Sequence, residues 1–96
     1  SWVVPNGYYK IKSVGNGKLL NVAASGMNSD YEGVGVTLWK GSDDITQTFR
    51  IERTERGTYY IYSAASRNGY GRVLGVNKSA GSINVGLYQS TGANAV

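Results

Sequence analysis

Val34-Gly35-Val36-Thr37-Leu38-Trp39-Lys40-Gly41-Ser42-Asp43-Asp44-Ile45-Thr46-Gln47-Thr48-Phe49 is the stretch on which the reading of this chain turns. Val34, Val36 and Leu38 alternate with smaller or polar residues, the period-two pattern of a half-buried strand. Trp39 stands where that strand ends. Gly41 to Asp44 supply a polar turn, and Ile45, Gln47 and Phe49 then resume a spacing of two. A weaker copy lies near the C-terminus: Ile83-Asn84-Val85-Gly86-Leu87-Tyr88-Gln89-Ser90-Thr91-Gly92-Ala93-Asn94-Ala95-Val96. Aligning Leu38 with Leu87 sets Trp39 on Tyr88 and Gln47 on Val96.

The flanking sequence repeats in the same order. Trp2-Val3-Val4 reads as a short strand closed by the turn Pro5-Asn6-Gly7. Tyr8 to Ser13 alternates with Tyr9 and Ile11 inward. Gly15-Asn16-Gly17 suits a tight hairpin, because Gly and Asn tolerate positive φ, and Leu19 to Val22 returns as the partner strand. A long polar loop, Ala23 to Gly33, leads into the opening stretch. In the second half Phe49 to Glu52 stands for Trp2 to Val4, and Thr58 to Ser63 for Tyr8 to Ser13. A longer hairpin, Ala64 to Arg72, precedes the strand Val73 to Val76, and Asn77 to Ser82 is a shorter loop. Six apolar pairs recur in order: Trp2/Phe49, Val4/Ile51, Tyr9/Tyr59, Ile11/Ile61, Leu20/Leu74 and Leu38/Leu87. Each unit is four short strands over roughly 47 to 49 residues, with no helical period, so the units stack around a shared core.

Composition narrows the function. The 96 residues make one domain, short enough that its core is modest. Cys is absent, so no disulfide staples the fold and the redox compartment stays open. No apolar run is long enough to span a membrane. The formal charge is +4, but Lys and Arg are dispersed from Lys10 to Lys78. Arg50, Arg53 and Arg56 alternate with Glu52 and Glu55, which reads as a solvated strand-turn surface rather than a nucleic-acid interface. His is also absent, which removes the commonest general base, the thiol nucleophile and most transition-metal sites together. Asp43 and Asp44 are neighbours in a turn, not an opposed carboxylate pair. Asp30 and Glu32 lie in a loop and offer at most weak cation binding. No catalytic residue, metal or cofactor is assigned.

Gly7-Tyr8-Tyr9-Lys10-Ile11, Gly17-Lys18-Leu19-Leu20-Asn21-Val22, Val36-Thr37-Leu38-Trp39 and Gln47-Thr48-Phe49 give the order G-x-Y-x-I, G-K-x-L-x-V, V-x-L-W, Q-x-F. This order resembles the ricin-B-type lectin domain over nearly the whole chain. The resemblance implies an all-β fold, a β-trefoil of four-stranded lobes each ending in a Q-x-W-like element. It also implies a non-catalytic module binding a glycan or polysaccharide, part of a larger, secreted protein. In such a lobe a polar residue on the second strand bonds sugar hydroxyls, and an aromatic at the end of the third strand stacks on the ring. Residues just before the Q-x-W element complete the site. Carried over position by position, lobe one offers Asn21, Thr37, Trp39, Thr46 and Gln47. A pyranose has one C–H-rich face that suits an aromatic plate and a hydroxyl rim that needs donors and acceptors.

Two departures matter. The family's usual Asp is Asn21 here, which bonds without the charge-assisted acceptor. In lobe two that position is Gly75, and Gly86 replaces a polar residue, so only Tyr88 and Asn94 remain as a weaker second site. Each candidate has a plainer role as well: Trp39 as an edge cap, Gln47 as a turn-shaping residue, Asn21 as a solvated strand residue. Tyr70, in the Gly-rich hairpin, is a further contact candidate. A trefoil that has lost its sugar site and serves protein–protein contact is the alternative function. Only two lobes are counted, residues 2–47 and 49–96, whereas the architecture needs three. The expectation is that flanking sequence, or other chains, completes the core.

Overall fold

The computed structural model describes residues 3–23, 30–79 and 82–92, apart from the side chains of Ser79 and Ser82. Its strands are β1 (Gly7–Tyr9), β2 (Leu19–Val22), β3 (Val34–Trp39), β4 (Phe49–Arg53), β5 (Tyr59–Ser63), β6 (Val73–Ser79) and β7 (Ser82–Tyr88). They form one seven-stranded sheet in the order β1-β4-β5-β6-β7-β3-β2, antiparallel throughout. Past β1 the backbone turns to β2: Leu20 N donates to Ile11 O at 2.8 Å and Ser13 N to Lys18 O at 2.8 Å, with a bridge between Lys12 and Leu19. The segment after β1 thus packs against β2 at the other end of the order.

The core is what the alternation predicts. Val22, Val34, Phe49 and Leu87 are buried together, with Ile11, Leu20, Val36, Ile61 and Leu74 packed against them. Burial fades along β3, from buried Val34 through half-buried Val36 to exposed Leu38. The cause is pairing. Only Val34 and Gly35 pair with β7, so beyond them the strand has β2 alone as a neighbour. Trp39 is thereby carried to an outer corner.

Four expectations are corrected. Val3 and Val4 form no strand and are exposed; the Val4 N–H is taken by the Tyr59 hydroxyl at 3.0 Å instead of a ladder partner. Ile45–Gln47 is a single 3-10 turn, not a resumed strand. Asp44 caps it through a hydrogen bond from Thr46 N, as short acidic side chains do at helix starts, and Ile45 is left exposed. The expected loop at Asn77 to Ser82 is mostly ladder, since Asn77 pairs with Asn84 and Ser79 with Ser82. Arg50 is buried rather than solvated. Its guanidinium lies 4.2 Å from the Tyr62 ring centre and 4.1 Å from that of Tyr70, while Nε donates to Gly69 O at 2.7 Å and Glu52 supplies the counter-charge. A buried cation persists only with such partners. Trp2, Asn94 and most of the loop at Ala23 to Gly33 lie outside the described residues.

A row of glycines crosses three adjacent strands. Gly86 in β7 pairs with Gly35 in β3 on one side and Gly75 in β6 on the other. A Cβ at Gly86 would sit 3.0 Å from the Val34 carbonyl oxygen and 3.3 Å from both the Tyr88 ring edge and its hydroxyl. Tyr88 thus lies back over Gly86 and fills the space that a side chain there would have taken. Gly86→Ala should lower stability by about 1–3 kcal/mol, as overpacking does. Urea unfolding of the two chains, at equal slope, checks this.

Candidate functional site

The turn after β3 and the end of β2 enclose one open hollow lined by Asn21, Trp39, Lys40, Ser42, Asp44 and Thr46. Its volume, about 470 Å³, falls within the ~300–1,000 Å³ usual for small-molecule sites. Pairing of β2 with β3 sets Leu19 opposite Trp39 and Asn21 opposite Thr37. The Thr46 hydroxyl donates to Asn21 Oδ1 at 3.1 Å, and Asn21 Nδ2 donates to Val22 O at 3.2 Å, which fixes the amide's orientation. Trp39 is 58% exposed. The hollow therefore has an aromatic wall, an oriented amide, a hydroxyl and the Asp44 carboxylate, the last of which also accepts from Thr46 N at 3.2 Å.

Of the residues named from sequence, Asn21, Trp39 and Thr46 come together here. Gln47 stands behind the wall, fully buried at 0% exposure. Its Oε1 accepts from Ser42 N at 2.8 Å and its Nε2 donates to Lys40 O at 2.8 Å, so its amide ties the turn together. Thr37 lines a different hollow, with Asn77, Val85 and Tyr88. Tyr88 is only 6% exposed, so the structure corrects its placement as an aromatic plate, for the reason the glycine row supplies. Asn94 lies outside the described residues. Asp44, not among the residues named from sequence, lines the hollow too; its local signal is an N-cap pattern, a short acidic residue just before the 3-10 turn.

A second hollow, of about 250 Å³, is lined by Asp30, Arg67, Tyr70, Gly71, Arg72 and the turn Gln89–Thr91. Asp30 and Glu32 are paired here, against the expectation of a loose cation site. Ser66 Oγ donates to Asp30 Oδ1 at 2.8 Å and Arg67 Nε to Asp30 Oδ2 at 2.8 Å. Arg72 Nη1 donates to Glu32 Oε1 at 3.0 Å, as does Gln89 N. The Ser66 hydrogen bond, with that of Arg67 and the two arginine charges, holds the Asp30 carboxyl below its ordinary pKa against the cost of burial. A lowered pKa in the folded chain stabilises it above the unfolded carboxylate value, and this is lost as the pH falls through the folded value. Asp30→Asn should therefore flatten the decline in stability below about pH 4, measured as Tm against pH.

An antiparallel sheet of short strands with no long helix among the described residues fits the β-trefoil class. The sequence matches the ricin-type beta-trefoil lectin domain-like family over residues 1–88, and the chain belongs to that family. Two solved structures share its fold. The Rhizoctonia solani agglutinin is 22% identical with a TM-score of 0.75, over 92% of this chain and 58% of that one. A designed 3-fold symmetric protein, ThreeFoil, is 28% identical with a TM-score of 0.75, over 97% of this chain and 64% of that one. The chain thus spans about three-fifths of the length of these structures. No curated protein sequence matches it.

Because the Gln47 amide fastens the turn at both ends, Gln47→Ala should cost about 1–3 kcal/mol by leaving Lys40 O and Ser42 N unpaired. Amide exchange at Ser42 should quicken with it. Denaturant unfolding with hydrogen-exchange NMR reads both.

Proposed function

We propose that the chain is a carbohydrate-binding module that holds a pyranose against the exposed ring of Trp39. The observation that carries this reading is the convergence of Trp39 on the same hollow as the hydrogen-bonded pair Asn21 and Thr46. The ring's C–H face stacks on the indole, and its hydroxyls find acceptors in Asn21 Oδ1 and the Asp44 carboxylate. Asp44 supplies from the turn the charged acceptor that Asn21 lacks, and bonds of that kind are the stronger ones. Gln47 and Thr37 take no direct part: one shapes the wall and the other faces a separate hollow. The module is non-catalytic and extracellular in this reading, as its family resemblance implies.

The domain reading is a proposal of the same kind. The chain comprises two lobes, about 2–47 and 49–96, of a three-lobed trefoil completed by flanking sequence or by other chains. Two observations support it. Nearly all of this chain covers 64% of a 3-fold symmetric structure, and Val3, Val4, Ile83 and Val85 are exposed large apolar residues of the sort a neighbouring lobe covers.

A second reading, a trefoil interaction module without sugar binding, draws on lobe two, where Gly75 stands in place of the polar Asn21 and Tyr88 is buried. A glycan array on the chain separates the two. Under the lectin reading at least one glycan is retained, and Trp39→Ala weakens it by on the order of 1–2 kcal/mol, roughly five- to thirty-fold. The exposed position of Trp39 predicts an unchanged Tm in the same variant. An array with no signal, or a bound glycan indifferent to Trp39→Ala, sinks the lectin site.

A further inference from the structure

The second hollow is not at the lobe-two positions aligned with Asn21 and Trp39, which are Gly75 and Tyr88. Its walls come from the β5–β6 hairpin, the turn after β7 and the chain ahead of β3. We propose that Tyr70, Asp30 and Arg67 form a second saccharide-binding site there, selective for neutral pyranoses.

Tyr70 is a mounted plate. One face lies over the buried Arg50 guanidinium at 4.1 Å, and that guanidinium is itself backed by Tyr62 at 4.2 Å. Arg50 is further anchored to Gly69 O, at the foot of Tyr70. Tyr70 nonetheless remains 69% exposed, so its outer face is open. An aromatic held in place before the ligand arrives loses little freedom on binding. The backbone beside it is strained. Arg67 and Asn68 both have positive φ, 51° and 55°, a conformation non-glycine residues keep only where surrounding structure enforces it, often at binding sites.

The polar rim has the chemistry of a diol reader. The Asp30 carboxylate accepts, and Arg67 uses Nε on Asp30 while its side chain stays 72% exposed, leaving guanidinium N–H groups to donate. Charge decides the ligand class. Arg67 and Arg72 are matched by Asp30 and Glu32, so the cluster is formally neutral and offers an acidic sugar no net attraction. The smaller volume of this hollow suits a single ring.

The site shares the stacking chemistry proposed at Trp39 but none of its residues, so the two are tested apart. The full 96-residue chain is titrated, with amide NMR shifts as readout. The probes are the methyl glycosides of galactose, glucose, mannose and N-acetylglucosamine, with methyl glucuronoside as the charged comparator. The expected result is a saturable shift at the amides of residues 67–72 and 89–91 with at least one neutral glycoside. It should survive Trp39→Ala and weaken at least fivefold in Tyr70→Ala and in Arg67→Gly. Glycine accepts the positive φ at position 67, so Arg67→Gly keeps the turn and leaves the Arg50 stack untouched while removing the Arg67 side chain and its bond to Asp30, should Tyr70→Ala disturb that stack. The proposal is overturned by silence at these amides with all four neutral probes. It is overturned equally by a response to the glucuronoside alone, by loss in Trp39→Ala, or by full binding in Arg67→Gly.

Discussion

The buried amide of Gln47 is the interaction on which the described site depends. A side chain with no exposure and two polar ends must find a donor and an acceptor, or folding loses what burial gains. Gln47 finds them at Ser42 N and Lys40 O, the backbone of the turn that follows Trp39. Two residues on, Phe49 is fully buried in the core. The chain therefore cannot place Phe49 without pulling Gln47 inward, and Gln47 cannot be inward without drawing the turn over it. Asp44 and Thr46 follow, because the 3-10 turn between them is closed by the Asp44 cap. The hollow is thus a consequence of core packing on one side and amide satisfaction on the other.

The same repeat position does opposite work in the two halves, and sheet pairing explains why. Trp39 ends a strand whose last residues have a partner on one side only, so the indole overhangs the sheet. Tyr88 ends β7, which is paired along its length with β6 and near its end with β3. With Gly86 two residues back, the Tyr88 ring takes the space over that glycine. The missing side chain at Gly86 and the burial of Tyr88 are one structural event. It withdraws Tyr88 from the exposed position that Trp39 holds.

Much of this was legible in the sequence because it rests on local periodicity. The bounds of β2 and β3 and the inward placing of Val34, Val36 and Phe49 follow from alternation, and the trefoil class follows from the family resemblance. The convergence of Asn21, Trp39 and Thr46 follows from the family resemblance. What was not legible depends on contacts between distant residues. The spacing of Ile45, Gln47 and Phe49 suits a strand, and only the Asp44 cap and the two amide bonds of Gln47 make it a turn. Arg50 sits among alternating charges that look solvated, and nothing local announces that Tyr62 and Tyr70 enclose it. Asp30 and Glu32 read as loop acids because their partners, Arg67 and Arg72, come from the second repeat.

The exposed aromatics Trp39 and Tyr70 differ in what holds them, and that difference has a physical consequence. Trp39 is held by strand geometry, so its position follows the β2–β3 ladder and the turn beneath it. Tyr70 is held by a cation. Burial alone would disfavour the Arg50 charge, but the hydrogen bond and charge of Glu52 outweigh it, so the guanidinium pKa is raised above its ordinary value. A guanidinium does not titrate in the accessible range, and here the shift moves it further away. The support under Tyr70 is therefore insensitive to pH as far as Arg50 is concerned. Desolvated cation–π contacts are among the stronger ones, and salt screens a buried pair less than an exposed one. The plate at Tyr70 is thus fixed by an interaction that salt does not readily loosen, whereas Asp30, partly exposed and shared between Arg67 and Arg72, is the titratable element of that hollow whose pKa its neighbours shift.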